Sequence, residues 1–217
     1  RRSISCTKER RAAVTDKSVL DALLFIAAGF CSGSVLYCVY LPFLFKGMDV
    51  TKLSEDQNPG THNAFAHAGI PIGILCLFCE LGKGYVPVVL SLRAVDPASP
   101  LFALVMLSPV LGHAFSPLRR FHGGKGIAVS FGVLLALVPK HLAVLVLAAA
   151  YLVSLLLPLH PNEKRTIAAF SAFALIAVFA GGVFSIRLGC LLIALLVGWR
   201  NWADAKISIP LFNHSEQ

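Results

Sequence analysis

An all-α bundle that crosses a membrane about seven times is the fold class this chain predicts. Three observations carry that reading. Only 14% of the 217 residues are charged, against about 25% in a soluble domain. The mean hydropathy is +0.76, so lipid rather than water is the main solvent. The apolar runs are broken by short basic, proline- and glycine-bearing segments, the pattern of spans joined by interfacial loops. The formal net charge of +8 sits between those runs. Headgroup contact, topology and anionic substrates account for it, and nucleic acid is not expected as a partner.

Taken in order, the apolar segments run over residues 19–41, 70–92, 101–115, from after the glycine run to 138, 142–157, 167–184 and 188–199. Pro42 is expected to stop the first and Pro139 the fourth. Gly82, Gly84 and Pro87 fall inside the second, where Glu80 and Lys83 are spaced to pair on one helical face. Several segments are shorter than the roughly 20 residues of a perpendicular span, so tilted or partial helices, or six spans and a half-helix, also fit. Residues 1–18 form a basic tail, 19–205 one transmembrane domain and 206–217 a C-terminal tail. The tail at 1–18 lacks the apolar region and cleavage site of a signal peptide. An odd span number puts it opposite the loops at 46–63 and 116–125, against the usual placement of basic segments.

Three polar groupings stand out. Cys31-Ser32-Gly33-Ser34 lies inside the first segment, and reads either as close helix packing or as Ser34 beside a substrate. Residues 54–63 read either as a plain polar loop or as a ligand loop, with a turn at Pro59-Gly60 and Asn58 and Asn63 as hydrogen-bonding groups. The richest stretch is 112–132, where Gly123, Gly124, Lys125 and Gly126 open an apolar helix. Glycines that allow close backbone approach, a lysine and a helix N-terminus make an anion site, most naturally for phosphate. A basic loop that anchors lipid headgroups is the plainer alternative. His113 is either a base or a helix-end hydrogen-bonder.

Other chemistries are screened out by spacing. The loop is not a Walker A motif, because Gly126 follows Lys125 and Arg119 holds the place of the leading glycine. No histidine is followed five residues later by aspartate, and no Gly-x-Ser-x-Gly elbow occurs. His62 and His67 do not share a helix face cleanly, and Cys76 and Cys79 have no second pair, so no metal or cofactor is called for. The cysteines lie mostly in apolar runs, where they act as small hydrophobes.

With these residues in place, the chain resembles the bacterial integral-membrane acyl-phosphate:glycerol-3-phosphate acyltransferases of the PlsY type. The family's Gly-Ser pair is matched by Gly33-Ser34, and its loop motif by Asp49, Asn58-Pro59-Gly60 and Asn63. Lys83-Gly84 matches a Lys-Gly pair. The third motif, Gly-His-x-x-Pro-x-Phe-x-x-Phe-x-Gly-Gly-Lys-Gly-Val-Ala-Thr, is matched by Gly112-His113, Phe121 and Gly123 to Ala128, with Val129 in place of Thr. Ser116 stands at the Pro position and Leu118 at the first Phe. The chain departs at Thr51 and Ala66, where the family has arginine, and at Asp56, where it has serine with one residue fewer in the loop. It departs again at 158–165, and at 198–201, where only Asn201 of His-x-x-Asn is kept.

The resemblance implies a bacterial plasma-membrane enzyme. It would move an acyl group from acyl phosphate to the 1-hydroxyl of glycerol 3-phosphate, in contact with membrane lipid and without a cofactor. It implies Lys125 and His113 as catalytic residues. It implies Ser34, Asn58, Gly60, Asn63, Lys83, Gly123, Gly124, Gly126 and Asn201 as substrate-binding residues, with Lys83, Arg119 and Arg120 adding positive field. The donor half of the motif set is better kept than the acceptor half. A relative using another acceptor and a non-enzymatic lipid-phosphate bundle are the competing readings.

Overall fold

A computed structural model describes residues 2–180 and 182–207, with side chains over 17–180 and 182–203. The expected C-terminal tail lies outside these residues from 208 onward, as do the side chains of 1–16. Among the described residues every regular element is helical: α1 (Arg2–Ser34), α2 (Tyr37–Lys46), α3 (Val50–Leu53), α4 (Thr61–Asn63), α5 (Ile70–Ser91), α6 (Leu101–Ala114), α7 (Ile127–Leu135), α8 (Ala143–Leu156), α9 (Asn162–Phe179) and α10 (Phe184–Ile207). A π-turn, Ala64–Ala68, joins α4 to α5, and a 3-10 turn, Pro117–Arg119, follows α6.

Helix forms in each of the seven predicted segments. Among the described residues, four stretches are long and apolar enough to cross a membrane: Lys17–Ser34, Ile70–Ser91, Leu101–Arg119 and Phe184–Ala203. At about 1.5 Å per residue, nine-residue α7 spans about 13 Å, under half of a hydrocarbon core. Apolar side chains such as Leu156 (85% exposed) and Phe179 (84% exposed) face outward. In water such a surface would be an aggregation hazard. In a bilayer it is the lipid face.

The packing order follows from where the small residues sit. α6 is the most enclosed span, 61% buried, and packs on α1 and α10, while α5 packs on α7 and α9 on both α8 and α10. Phe102, Met106 and Val110 of α6 join Val129 and Val133 of α7, Phe170 and Phe173 of α9 and Ile193 and Val197 of α10 in one core. A Cβ on Gly33 would strike the backbone oxygen of Pro109, and one on Gly112 the backbone oxygen of Phe30. The helices α1 and α6 therefore touch backbone to backbone, the packing reading of the small residues at 31–34. Gly33→Ala and Gly112→Ala are each expected to lower stability by about 1–3 kcal/mol through overpacking, read as a drop in melting temperature in detergent.

Several boundaries differ from the sequence expectation: α9 ends at Phe179 rather than 184, and α10 runs Phe184–Ile207 rather than 188–199. Three further differences have a clear cause. The first segment is not one helix ending at Pro42. α1 stops at Ser34, Leu36 leaves the helical region (φ −95°, ψ 82°), and α2 carries Pro42 inside it before Gly47 closes it at φ 66°. The freed backbone groups find partners on α5: Lys83 Nζ donates to the Val35 carbonyl at 2.6 Å, and Tyr37 N–H donates to Glu80 Oε1 at 3.1 Å. A break within an apolar span needs such partners, because lipid supplies none. α7 ends at Leu135, ahead of Pro139. α9 starts at Asn162 rather than 167, because Pro161 precedes it and Glu163 sits in its first turn, features that favour a helix start although they are polar.

Candidate active site

The glycine stretch turns from α6 into α7. Arg120 (φ 52°) and Phe121 (φ 64°) take left-handed conformations, and Gly126 (φ 81°) caps α7. Only a residue without Cβ suits Gly123, since a Cβ there would meet the carbonyl oxygens of His113 and Ala114. Gly124 N–H donates to the His113 carbonyl at 3.1 Å, and its Cα faces the His113 ring. These two glycines therefore serve first to bring the loop against the end of α6. That contact sets Lys125 and the α7 N-terminus beside His113.

One cavity of about 80 Å³ gathers Asn58, Gly60, His113, Lys125 and Gly126 with Ile127 and Ala128 of α7. Five of the predicted site residues thus meet at one helix N-terminus. Asn63, also predicted, braces the loop behind them. Its Nδ2 donates to Asp56 Oδ1 at 2.8 Å and to the Asn58 carbonyl at 2.9 Å. The chain closes on itself through Gly60 N–H to the Asn58 carbonyl at 2.9 Å, and through Gln57 N–H to the Ser54 carbonyl at 3.2 Å, so the turn extends upstream of Pro59-Gly60.

Lys125 is held by two carboxylates that were not among the predicted site residues. Its Nζ donates to Asp56 Oδ2 at 2.8 Å and to Glu163 Oε1 at 2.7 Å. Burial pulls the ammonium's pKa down. The hydrogen bonds and charges of Asp56 and Glu163 outweigh it, leaving Lys125 above the ordinary lysine value. Burial alone would raise Asp56, but the bonds from Lys125 and Asn63 bring it below the ordinary carboxylate value. Lys125 is therefore a fixed cation near neutral pH. Two of its three protons are engaged, and the third is left for the cavity.

His113 belongs to a second, fully buried cluster. Lys83 Nζ lies 2.7 Å from Glu80 Oε2 and 2.8 Å from His113 Nδ1, and His113 Nδ1 lies 3.1 Å from Glu80 Oε2. The predicted Glu80–Lys83 pair is present. Lys83 pairs with Glu80 and donates to the Val35 carbonyl, with His113 Nδ1 packed beside both, at 2% side-chain exposure. Lys83 thus binds the helix break rather than adding field at an open site. Ser34 donates to its own helix, at Phe30 O (2.7 Å), while its carbonyl accepts from Ser116 Oγ at 2.6 Å. Asn201, 1% exposed, donates to Val197 O at 2.8 Å. Ser34 and Asn201 are tied to backbone, and neither lines the cavities at Lys125 and Arg119, so the structure does not bring these two expected binding residues to the site.

Two larger cavities flank this centre. One of about 630 Å³ is walled by Glu55, Asp56 and Glu163 together with His62, Asn63 and His67. The other, about 490 Å³, has Arg119 and Arg200 on its wall. The sequence carried a signal for the carboxylate clamp. Asp56 and Glu163 both fall at departures from the family pattern, and those two departures meet on Lys125.

Helices of spanning length, a glycine loop feeding a short inner helix, and a lysine fixed beside a small polar cavity define an integral membrane protein with a polar centre at a helix mouth. The family profile for glycerol-3-phosphate acyltransferase matches residues 23–209, and the chain belongs to that family. Similar proteins named glycerol-3-phosphate acyltransferase include one from Hydrogenobaculum sp. (strain Y04AAS1), 34% identical over 111 residues, 51% of this chain and 56% of that protein. Another, from Myxococcus xanthus (strain DK1622), is 36% identical over 131 residues, 59% of this chain and 68% of that protein. The chain thus matches about half to two thirds of these relatives' length. The fold is similar to the crystal structure of PlsY, an integral membrane glycerol 3-phosphate acyltransferase, in its glycerol 3-phosphate form. The TM-score is 0.75 at 23% identity, covering 90% of this chain and 96% of that one. Its lysophosphatidic acid form gives a TM-score of 0.72 at 23% identity, covering 85% and 90%.

Proposed function

We propose that this chain is a membrane acyltransferase that moves a fatty acyl group from acyl phosphate to the 1-hydroxyl of glycerol 3-phosphate. The observation that carries the reading is the small cavity where Lys125, His113, Asn58 and the α7 N-terminus converge. In this reaction the hydroxyl oxygen attacks the acyl carbonyl, the carbonyl carbon–phosphate oxygen bond breaks, and the ester and inorganic phosphate leave. The hydroxyl proton ends on the released phosphate, with His113 the candidate carrier. Acyl phosphate is already activated, so no protein nucleophile is needed. The protein's part is to orient the reactants and to stabilise the charge on the oxyanion and the leaving phosphate, for which the free Lys125 proton and the helix N-terminus are suited. The exposed apolar helix faces supply a surface for the acyl chain, in keeping with a bacterial plasma-membrane location. Lys125, His113, Asn58, Gly60 and Gly126 are the residues assigned to this centre. Asn63 supports it through Asp56, and Gly123 and Gly124 set the loop.

A different acceptor is the second reading, favoured by the acidic wall of Glu55, Asp56 and Glu163, which suits a neutral or cationic alcohol better than a phosphate. Phosphate release from palmitoyl phosphate by purified protein in lipid nanodiscs separates the readings. The expected result is release that depends on glycerol 3-phosphate. Release that ignores glycerol 3-phosphate, with the acyl group passing to water or to another hydroxyl, contradicts the first reading, and release that depends on an added neutral or cationic alcohol supports the second. Binding of the acyl phosphate without release in the presence of both kinds of acceptor contradicts both.

A further inference from the structure

The loop between α2 and α5 lacks arginine at positions 51 and 66, yet the fold brings two arginines from elsewhere to the same place. Arg119, from the turn after α6, donates from Nη2 to Thr51 Oγ1 at 3.3 Å. Arg200, on α10, donates from Nη2 to the Gly123 carbonyl at 3.1 Å, with its guanidinium 5.9 Å from the centre of the Phe115 ring. Both line the cavity of about 490 Å³, together with Asn58 and Gly123. Glu55 and Asp56 also reach this cavity, but Asp56 is committed to Lys125. Among the described residues neither arginine has a carboxylate at salt-bridge distance.

Each guanidinium also keeps a buried nitrogen without an acceptor, Nη1 in Arg119 and Nε in Arg200. Buried donors are normally satisfied, and unsatisfied charged ones are costly. Two guanidinium groups without a carboxylate partner on the wall of one open cavity suit an anionic ligand, and the planar fork of arginine fits phosphate oxygens in pairs. Asn58 lines both this cavity and the small one at Lys125, so two phosphates held in them would lie on either side of one side chain.

We infer that Arg119 and Arg200 form a binding site for a phosphate monoester, standing in for the arginine absent at position 51. Its assignment to the acceptor, the phosphate of glycerol 3-phosphate, rests on the acyltransferase reading above. The acceptor's phosphate then sits on the arginine side, away from Glu163, although Glu55 and Asp56 border both cavities.

The test is titration of sn-glycerol 3-phosphate into nanodisc-held wild type, Arg119→Gln and Arg200→Gln, with steady-state kinetics alongside. Each substitution is expected to raise Kd for glycerol 3-phosphate about tenfold or more, the loss of charge-assisted bonds. KM for glycerol 3-phosphate rises in step, while KM for palmitoyl phosphate stays put. Adding Thr51→Arg to Arg119→Gln recovers part of the affinity. A rise in KM for palmitoyl phosphate instead assigns the same site to the donor's phosphate. Unchanged Kd and KM for both substrates, in variants with wild-type melting temperatures, overturns the inference. Wild type that binds glycerol 3-phosphate through these arginines yet transfers no acyl group overturns the acyltransferase reading and leaves the site standing. Wild type that binds neither substrate overturns both.

Discussion

Lys125→Ala is expected to cut acyl transfer by about 10²- to 10³-fold, the loss that follows removal of one preorganised donor to a developing anion. The expectation rests on the geometry of the ammonium. Asp56 and Glu163 fix it at 2.8 and 2.7 Å and keep it charged, so it needs no reorganisation as charge develops. Its remaining proton adjoins the cavity at the start of α7. The substitution also leaves two carboxylates without their cation, so melting temperature must be measured with the rate. Folded protein with a near-normal rate would contradict the placement of Lys125 at the reacting phosphate.

The second large effect is structural. Glu80→Ala is expected to destabilise the fold by about 3–5 kcal/mol, the cost of removing one partner from a buried ion pair. Glu80 is 1% exposed and accepts from the Tyr37 N–H while pairing with Lys83. Its loss strands the Lys83 ammonium and frees one side of the break between α1 and α2. Glu80→Leu combined with Lys83→Met should cost less than Glu80→Ala alone, because no unpaired charge remains. Thermal unfolding in detergent reads both. A single variant within about 0.5 kcal/mol of wild type, the range of ordinary surface changes, would show that the cluster does not hold the break.

The parts of this protein that could be read from sequence are those governed by local pattern. Apolar runs located the helices, because hydropathy and length decide what lipid accepts. The Glu80–Lys83 pair followed from a three-residue spacing on one helix. The glycine stretch led to Lys125 because glycine, lysine and a helix start are adjacent in the chain. What escaped was set by contacts between distant segments. His113 joins Glu80 across two helices, with no spacing to announce it. The break at Val35 and Leu36 is stable only because Lys83 and Glu80 arrive from α5, so an apolar run looked continuous. Glu163 falls at a departure from the family pattern, but nothing local ties it to Lys125, and because the start of α9 is polar, apolarity alone places that start too late. Arg119 and Thr51 are far apart in sequence, so the replacement of one cation by another is visible only in the fold.

The central claim is that the centre at Lys125 and His113 joins an acyl phosphate to glycerol 3-phosphate. The most direct measurement incubates purified protein in nanodiscs with palmitoyl phosphate and carbon-13-labelled glycerol 3-phosphate, and follows labelled lipid and free phosphate together. The claim predicts palmitoyl-lysophosphatidic acid carrying the label, formed in equal amount with phosphate and lost in Lys125→Ala. Phosphate without labelled lipid, or neither product from well-folded protein, would contradict it.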